Sequence, residues 1–148
     1  MPNWIINKVE IVSSVKTREV IMGKIFHYDT GYHLDFNLAV LMPVGLQNMP
    51  SDNAWAIKHW GTKSNGSLRS IEYTCDGIAF YFETAWNPPI AWFKQLAQTV
   101  PEADFYLWYH DPNSPSVAGL CTYVNGQFSE DTSTEAVALA LEELADEN

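Results

Sequence analysis

"RSIEYTCDGIAFYFET", residues 69–84, decides the fold. Apolar and polar residues alternate on both sides of Asp76-Gly77, a dipeptide that suits the positive backbone angles of a type I′ turn. The spacing predicts two antiparallel strands. What flanks this hairpin sets how the sheet continues.

Downstream, "NPPIAWFKQLAQTVP" (87–101) reads as a helix. Asn87 is placed to cap it, Pro88 suits the first helical position, and Ile90, Phe93, Leu96 and Val100 recur on one side. "ADFYLWYH" (103–110) is apolar on both faces and predicts a central strand. A second hairpin is expected around Asn125-Gly126. Thr132 and Glu135 then form a capping box for a last helix with Val137, Leu141 and Leu144 on its buried stripe. Upstream, "WIINKVEIVS" (4–13) alternates as a strand, with Asn7, Val9 and Ile11 on one face and Lys8 and Glu10 on the other. Ser14 can cap a helix over about 16–27 that buries Val20, Ile21 and Ile25. Residues 28–52 lack a period and carry Pro43, Gly45 and Pro50. A short helix fits "DNAWAIKHW" (52–60), capped by Asp52 or Asn53.

Without the excursion over about 28–68, the order is βαββαβ. That is the split βαβ unit of a ferredoxin-like α+β fold, here with an extra C-terminal hairpin and acidic helix over about 115–148. At 148 residues the chain is expected to form one domain with a real core. No apolar run is long enough to cross a membrane, and the N-terminus does not read as a signal peptide, so a cytoplasmic location is expected. Two cysteines, Cys75 and Cys121, are expected as reduced thiols.

The net charge of −10 is unevenly spread. Residues 1–94 hold all eight cations and eight acids, whereas residues 95–148 hold ten acids and no Lys or Arg. Such a field repels nucleic acid directly and favours cationic partners. Glu142, Glu143, Asp146 and Glu147 crowd a helix C-terminus, where the macrodipole disfavours anions by roughly 0.3–1 kcal/mol each. A basic partner surface would explain them. So would solubility.

The motifs "MPNW..N.V.I" at the start, "WGTK" at 60, "F.TAW.PP" at 82 and "FYLWY" at 105 together resemble the YubB-type ferredoxin-like domain family. The resemblance runs from Pro2 to about Gly126. It implies the fold and a phage or plasmid origin, and it implies no activity.

Candidate sites are few. Gly61 and Gly66 have P-loop spacing, but Ser67-Leu68 follows where Lys and then Ser or Thr are required. Gly61 reads instead as the residue just past a helix end. Trp60 and Trp86 are expected to pack on each other, with Thr62 and Lys63 available to a partner. His27, Asp29, His33 and Asp35 could ligate a metal, but they lack a tight ligand spacing. Tyr81, Tyr106 and Trp108 could stack RNA bases on an open sheet face, yet Glu72 and Glu83 share that face and would repel phosphate. The added C-terminal hairpin or another subunit is expected to cover those rings. His110-Asp111 opens a "DPNSP" turn, where loop chemistry outweighs catalysis.

The reading is therefore a non-enzymatic phage or plasmid accessory protein that binds a host protein bearing a basic surface, without metal or cofactor. Its sharpest form is inhibition of a nucleic-acid-handling defence complex, of anti-CRISPR or anti-restriction type. The acids assigned to the contact are Asp111, Glu130, Asp131, Glu135, Glu142, Glu143, Asp146 and Glu147, joined by the loop residues Trp60, Thr62 and Lys63. Two rivals remain. One is a small-ligand or metal-dependent enzyme with a site near Trp60, Lys63 and the His27–Asp35 cluster; the other is a structural homo-oligomer using the aromatic sheet face.

Overall fold

The computed structural model describes residues 3–43 and 54–145. Strand β1 (Trp4–Val12) leads to helix α1 (Val15–Ile25), whose N-cap Ser14 accepts a hydrogen bond from the Thr17 N–H at 3.2 Å. The helix stops at Ile25, and its buried side chains are Ile21 and Ile25; Val20 is 56% exposed. The described part of the excursion is more ordered than its sequence predicts. It begins with a small hairpin, β2 (Phe26–Tyr28) and β3 (Tyr32–Leu34), and a 3-10 turn at Phe36–Leu38. The helix expected after it is present as α2 (Ala54–His59), while its proposed caps Asp52 and Asn53 lie outside the described residues.

Then come β4 (Ser67–Thr74), β5 (Gly77–Ala85), α3 (Ile90–Gln98), β6 (Asp104–Asp111), β7 (Ser114–Val124), β8 (Gln127–Asp131) and α4 (Thr134–Ala145). The main sheet runs β4-β5-β1-β6-β7-β8, with every neighbouring pair antiparallel. Its first four strands have the order of the split βαβ unit, and β7, β8 and α4 extend it.

The two hairpin dipeptides behave differently. Asn125 and Gly126 take φ of 54° and 74° between the paired residues Val124 and Gln127, as a type I′ turn requires. In the first hairpin Thr74 pairs with Gly77, so the turn residues are Cys75 and Asp76, and neither has positive φ. Gly77 serves another purpose. It lies opposite Val12, and a Cβ there would sit 1.7 Å from the Ile11 carbonyl oxygen. Only glycine lets β5 approach β1 this closely.

The helix caps also differ from expectation. Helix α3 has Pro89 at its N-cap with no side-chain cap, and the Asn87 carbonyl accepts from the Thr84 hydroxyl at 2.8 Å. Helix α4 is capped by Ser133, whose Oγ accepts from the Ala136 N–H, rather than by Thr132. Its buried residues are Ala136, Ala140 and the expected Leu144, while Leu141 is 37% exposed. Small residues let this helix lie close to the sheet.

One sheet face builds the core. Ile5, Val9, Ile11, Ile78, Phe80, Phe82, Phe105 and Leu107 are fully buried, together with Trp92, Phe93 and Leu96 of α3 and Phe36 of the excursion. At roughly 1.5–3 kcal/mol per buried large side chain, this face supplies most of the folding drive. Helix α4 lies against β7, β6 and β1 on the opposite face, where Glu143 reaches Lys8.

Candidate functional site

The quoted tryptophan motifs turn out to build a latch. Trp60 is 3% exposed, stands edge-on to Phe36 and Trp55, and donates its indole N–H to the Val40 carbonyl at 2.8 Å. Its own carbonyl accepts from the Trp92 N–H at 3.1 Å. Gly61 follows with φ of 87°, ending α2 as its spacing predicts. Thr62 is fully buried and donates to the Ala85 carbonyl at 2.8 Å. Buried Asn7 donates to Thr84 Oγ1 at 3.0 Å and to the Ile5 carbonyl at 3.2 Å. A polar seam thus ties the start of β1, the end of β5 and the "WGTK" loop together.

This arrangement corrects the loop assignment. Trp60 and Thr62 lie inside the protein and present no side chain to a partner. Trp86, expected to stack on Trp60, is instead 49% exposed, with φ of 71°. Lys63 Nζ stands 6.0 Å from its ring centroid, a cation–π pair on the surface. A bulky residue in the left-handed region carries backbone strain of about 1–2 kcal/mol. The hydrogen bond from the Trp86 N–H to the Asn3 carbonyl at 2.6 Å helps to hold it there.

The acids divide into two groups. Asp111 is 5% exposed and accepts from the Asn113 N–H and the Asn3 side-chain amide, so it holds the β6–β7 turn and is withdrawn from any docking surface. Glu143 is spent on Lys8 at 2.8 Å. Glu130, Asp131, Glu135 and Glu142 are exposed along the edge strand β8 and on α4. Glu130 accepts weakly from the Tyr109 hydroxyl at 3.3 Å. Asp131 accepts from the Ser133 N–H, which holds its carboxyl below the usual range. Asp146 and Glu147 lie outside the described residues.

On the second sheet face, Lys8 stands across from Tyr81 on β5 and Trp108 on β6. Its ammonium is 5.3 Å and 5.4 Å from those ring centroids. Burial opposes its charge, but hydrogen bonds to Glu143 and Tyr81 together outweigh that and hold its pKa above the usual value. Tyr106 stacks on Trp108 at 5.8 Å. Helix α4, rather than the added hairpin, crosses this face, because β7 and β8 extend the sheet instead of folding over it. Part of the aromatic surface that could have met RNA or a second subunit is thus covered from within. On the same face lies a cleft bounded by Trp4, Arg69, Tyr81 and Glu83, which the sequence pattern does not single out.

The remaining candidates are scattered. His27 and His33 pair directly across the β2–β3 hairpin, their rings 6.4 Å apart, while Asp35 is turned to the backbone of Asn37. Among the described residues, no three His, Cys, Asp or Glu side chains are grouped to hold a metal ion. His110 is 7% exposed, and burial pushes its pKa down against the pull of Asp111. Asp111 is engaged elsewhere. The geometry is that of a buried neutral imidazole beside a turn carboxylate.

No described helix is long and apolar enough to cross a membrane. No curated protein sequence matches the chain. Among solved structures it is similar to the protein api92 from Yersinia pseudotuberculosis, with a TM-score of 0.52 at 13% identity. The match covers 68% of this chain and 40% of that one, so the chain corresponds to less than half the length of its relative. At that identity the likeness speaks for the fold alone. The family model described as the ferredoxin-like domain in Api92-like protein matches residues 59–147, from the "WGTK" loop through α4. That span starts later than the motif resemblance and takes in the acidic helix. The chain belongs to the Api92-like ferredoxin-like domain family.

Proposed function

We propose that the protein is a non-enzymatic binding protein that docks through β8 and α4 onto a basic surface of another protein. One observation carries this. None of the ion pairs among the described residues involves the exposed acids Glu130, Asp131, Glu135 or Glu142, and no Lys or Arg occurs in residues 95–148 to neutralise them. Unpaired acids on an edge strand also discourage strand-to-strand aggregation. That does not account for Glu142 near a helix C-terminus, where anions are disfavoured. Lys63 and Trp86 form a second contact point on the "WGTK" side. The motif resemblance to the YubB-type family supports a phage or plasmid accessory role. In that setting a host nucleic-acid-handling defence protein, of anti-CRISPR or anti-restriction type, is the basic partner that the acidic surface fits best.

The test is affinity capture from bacterial lysate, with the parent protein compared to the triple variant Glu130→Gln, Glu135→Gln, Glu142→Gln. Asp131 is left in place because it supports the α4 cap. A stoichiometric partner with a basic groove, released by salt near 0.5 M and lost in the variant, is the expected result. A variant that captures the same partner equally well at low salt reduces the acids to a solubility device.

A further inference from the structure

A cavity of about 180 Å³ opens on the second sheet face, lined by Trp4, Ile6, Arg69, Tyr81, Glu83 and Pro112. None of its lining residues belongs to α4, so the helix does not close it. Ile6 stands opposite Glu83 in the β1–β5 ladder, which puts both side chains on this face. Arg69 arrives by a different route. On β4, Leu68 pairs with Phe82 and Ser70 with Tyr81, leaving Arg69 as the extra residue of a β-bulge. A bulge re-aims a side chain, and here it turns the guanidinium onto Glu83, with which it forms an ion pair. The Lys8 ammonium stands 5.3 Å from the Tyr81 ring centroid.

Size and charge restrict the ligand. A cavity of about 150 Å³ holds a benzene ring, so this one has room for a single ring system and a short substituent. Trp4, 40% exposed, offers aromatic surface to such a ring, and the largely buried Tyr81 adds a small part of the lining. The Arg69 side chain is 56% exposed against 20% for Glu83, so the charge met first at the rim is positive. One carboxylate does not exhaust the five N–H donors of a guanidinium. A cationic ligand would meet the exposed Arg69 first. We infer that this cleft binds a small planar anion, an aromatic ring bearing a carboxylate, with the ring against Trp4 and Tyr81 and the carboxylate on Arg69. The site shares no residue with the acidic docking surface and stands whether or not that surface has a partner.

Indole-3-acetate is a suitable probe, titrated into the full chain and followed by the NMR shift of the Trp4 indole N–H. With about thirteen non-hydrogen atoms at the efficiency of drug-sized ligands, its dissociation constant should be on the order of 1 mM or tighter. Arg69→Gln, an exposed change, should weaken binding at least tenfold. Tryptamine, the same ring with a cation, should bind at least tenfold more weakly than the acid. Glu83→Gln releases the guanidinium and should leave binding equal or tighter. The inference is overturned if indole-3-acetate fails to saturate by about 10 mM, if Arg69→Gln binds it as the parent does, or if Glu83→Gln abolishes binding while the fold stays intact.

Discussion

The two faces of the main sheet use the same strands and reach opposite chemistry. On one, β1 presents Ile5, Val9 and Ile11 to α1 and α3 with no exposed surface at all. On the other, it presents Ile6, Lys8 and Glu10 to tyrosines, a tryptophan and a helix lined with alanines. The first face is closed by volume. The second is closed in part, by charge and small residues, and keeps a cleft. Among the described residues, the open surface of the sheet therefore lies on its second face and at its edges.

The largest expected effect sharpens that contrast. Trp92 is fully buried on the first face, tilted against Phe36 at 4.4 Å and edge-on to Phe82. Trp92→Ala should cost about 3–5 kcal/mol by chemical denaturation. Trp108→Ala, on the half-open second face, should cost only about 1–2 kcal/mol because part of its ring already meets water. Equal losses would mean that α4 seals the second face as tightly as α3 seals the first.

The faces also titrate for opposite reasons. Cys121 stands opposite Leu107 on the first face, and burial pushes its thiol up from 9.0 to about 12. Lys8 on the second face is raised by its hydrogen-bond partners in spite of burial. Both groups hold their protons more tightly when folded. Each therefore contributes stability that is complete below its unfolded pKa and is lost as pH rises through the folded value. For Cys121 the loss begins near pH 9 and runs at up to roughly 1.4 kcal/mol per unit. For Lys8 it begins near 10.5. Unfolding free energies measured from pH 8 to 11 should fall, and Cys121→Ala should flatten the decline between 9 and 10.5. A parallel decline in that variant would remove Cys121 from the account.

Much of this was legible beforehand. The order of the ferredoxin-like strands follows from alternation and from the helix pattern around Pro88. The alternation of β1 assigned its two faces correctly, and Asn125-Gly126 announced its turn. What escaped has particular causes. A glycine after Asp76 looks the same whether it serves a turn or a close backbone approach, and only the neighbouring strand β1 distinguishes the two. Two tryptophans in adjacent motifs look alike although one ends buried and the other strained in solvent. Apolar spacing selects Val137, Leu141 and Leu144 on α4; Leu144 is buried as expected, whereas the tight approach to the sheet puts Ala136 and Ala140 beside it in place of the other two. The Arg69 cleft depends on a bulge, which leaves no period to read.

A smaller effect tests how α4 is held. Glu143→Gln removes the closest partner of Lys8, leaving Glu10 at 3.9 Å and the two rings. Because the Glu143 side chain is 40% exposed, the loss should be about 1 kcal/mol rather than the several expected for a sealed pair. Hydrogen exchange should rise in α4 ahead of β1 and β5. Uniform acceleration across the sheet would show that α4 and the core open as one unit.

The smallest effect comes from Trp86, which the motifs presented as the equal of Trp60. Trp60 donates a buried hydrogen bond and stands against Phe36 and Trp55, so its loss belongs with that of Trp92. Trp86 is half exposed, its backbone lies in the left-handed region, and its described ring contact is Lys63. Trp86→Ala keeps the strain and gives up little burial, so it should change stability by no more than about 0.5 kcal/mol. Trp86→Gly removes the strain of about 1–2 kcal/mol while gaining roughly 0.5–1 kcal/mol of unfolded-state entropy, and should be as stable as the parent or slightly more so. A strained, exposed aromatic that stability does not require is then available for contact with another molecule. If Trp86→Ala instead costs several kcal/mol, Trp86 belongs with Trp60 to the latch, and the contact surface shrinks to the acids of β8 and α4.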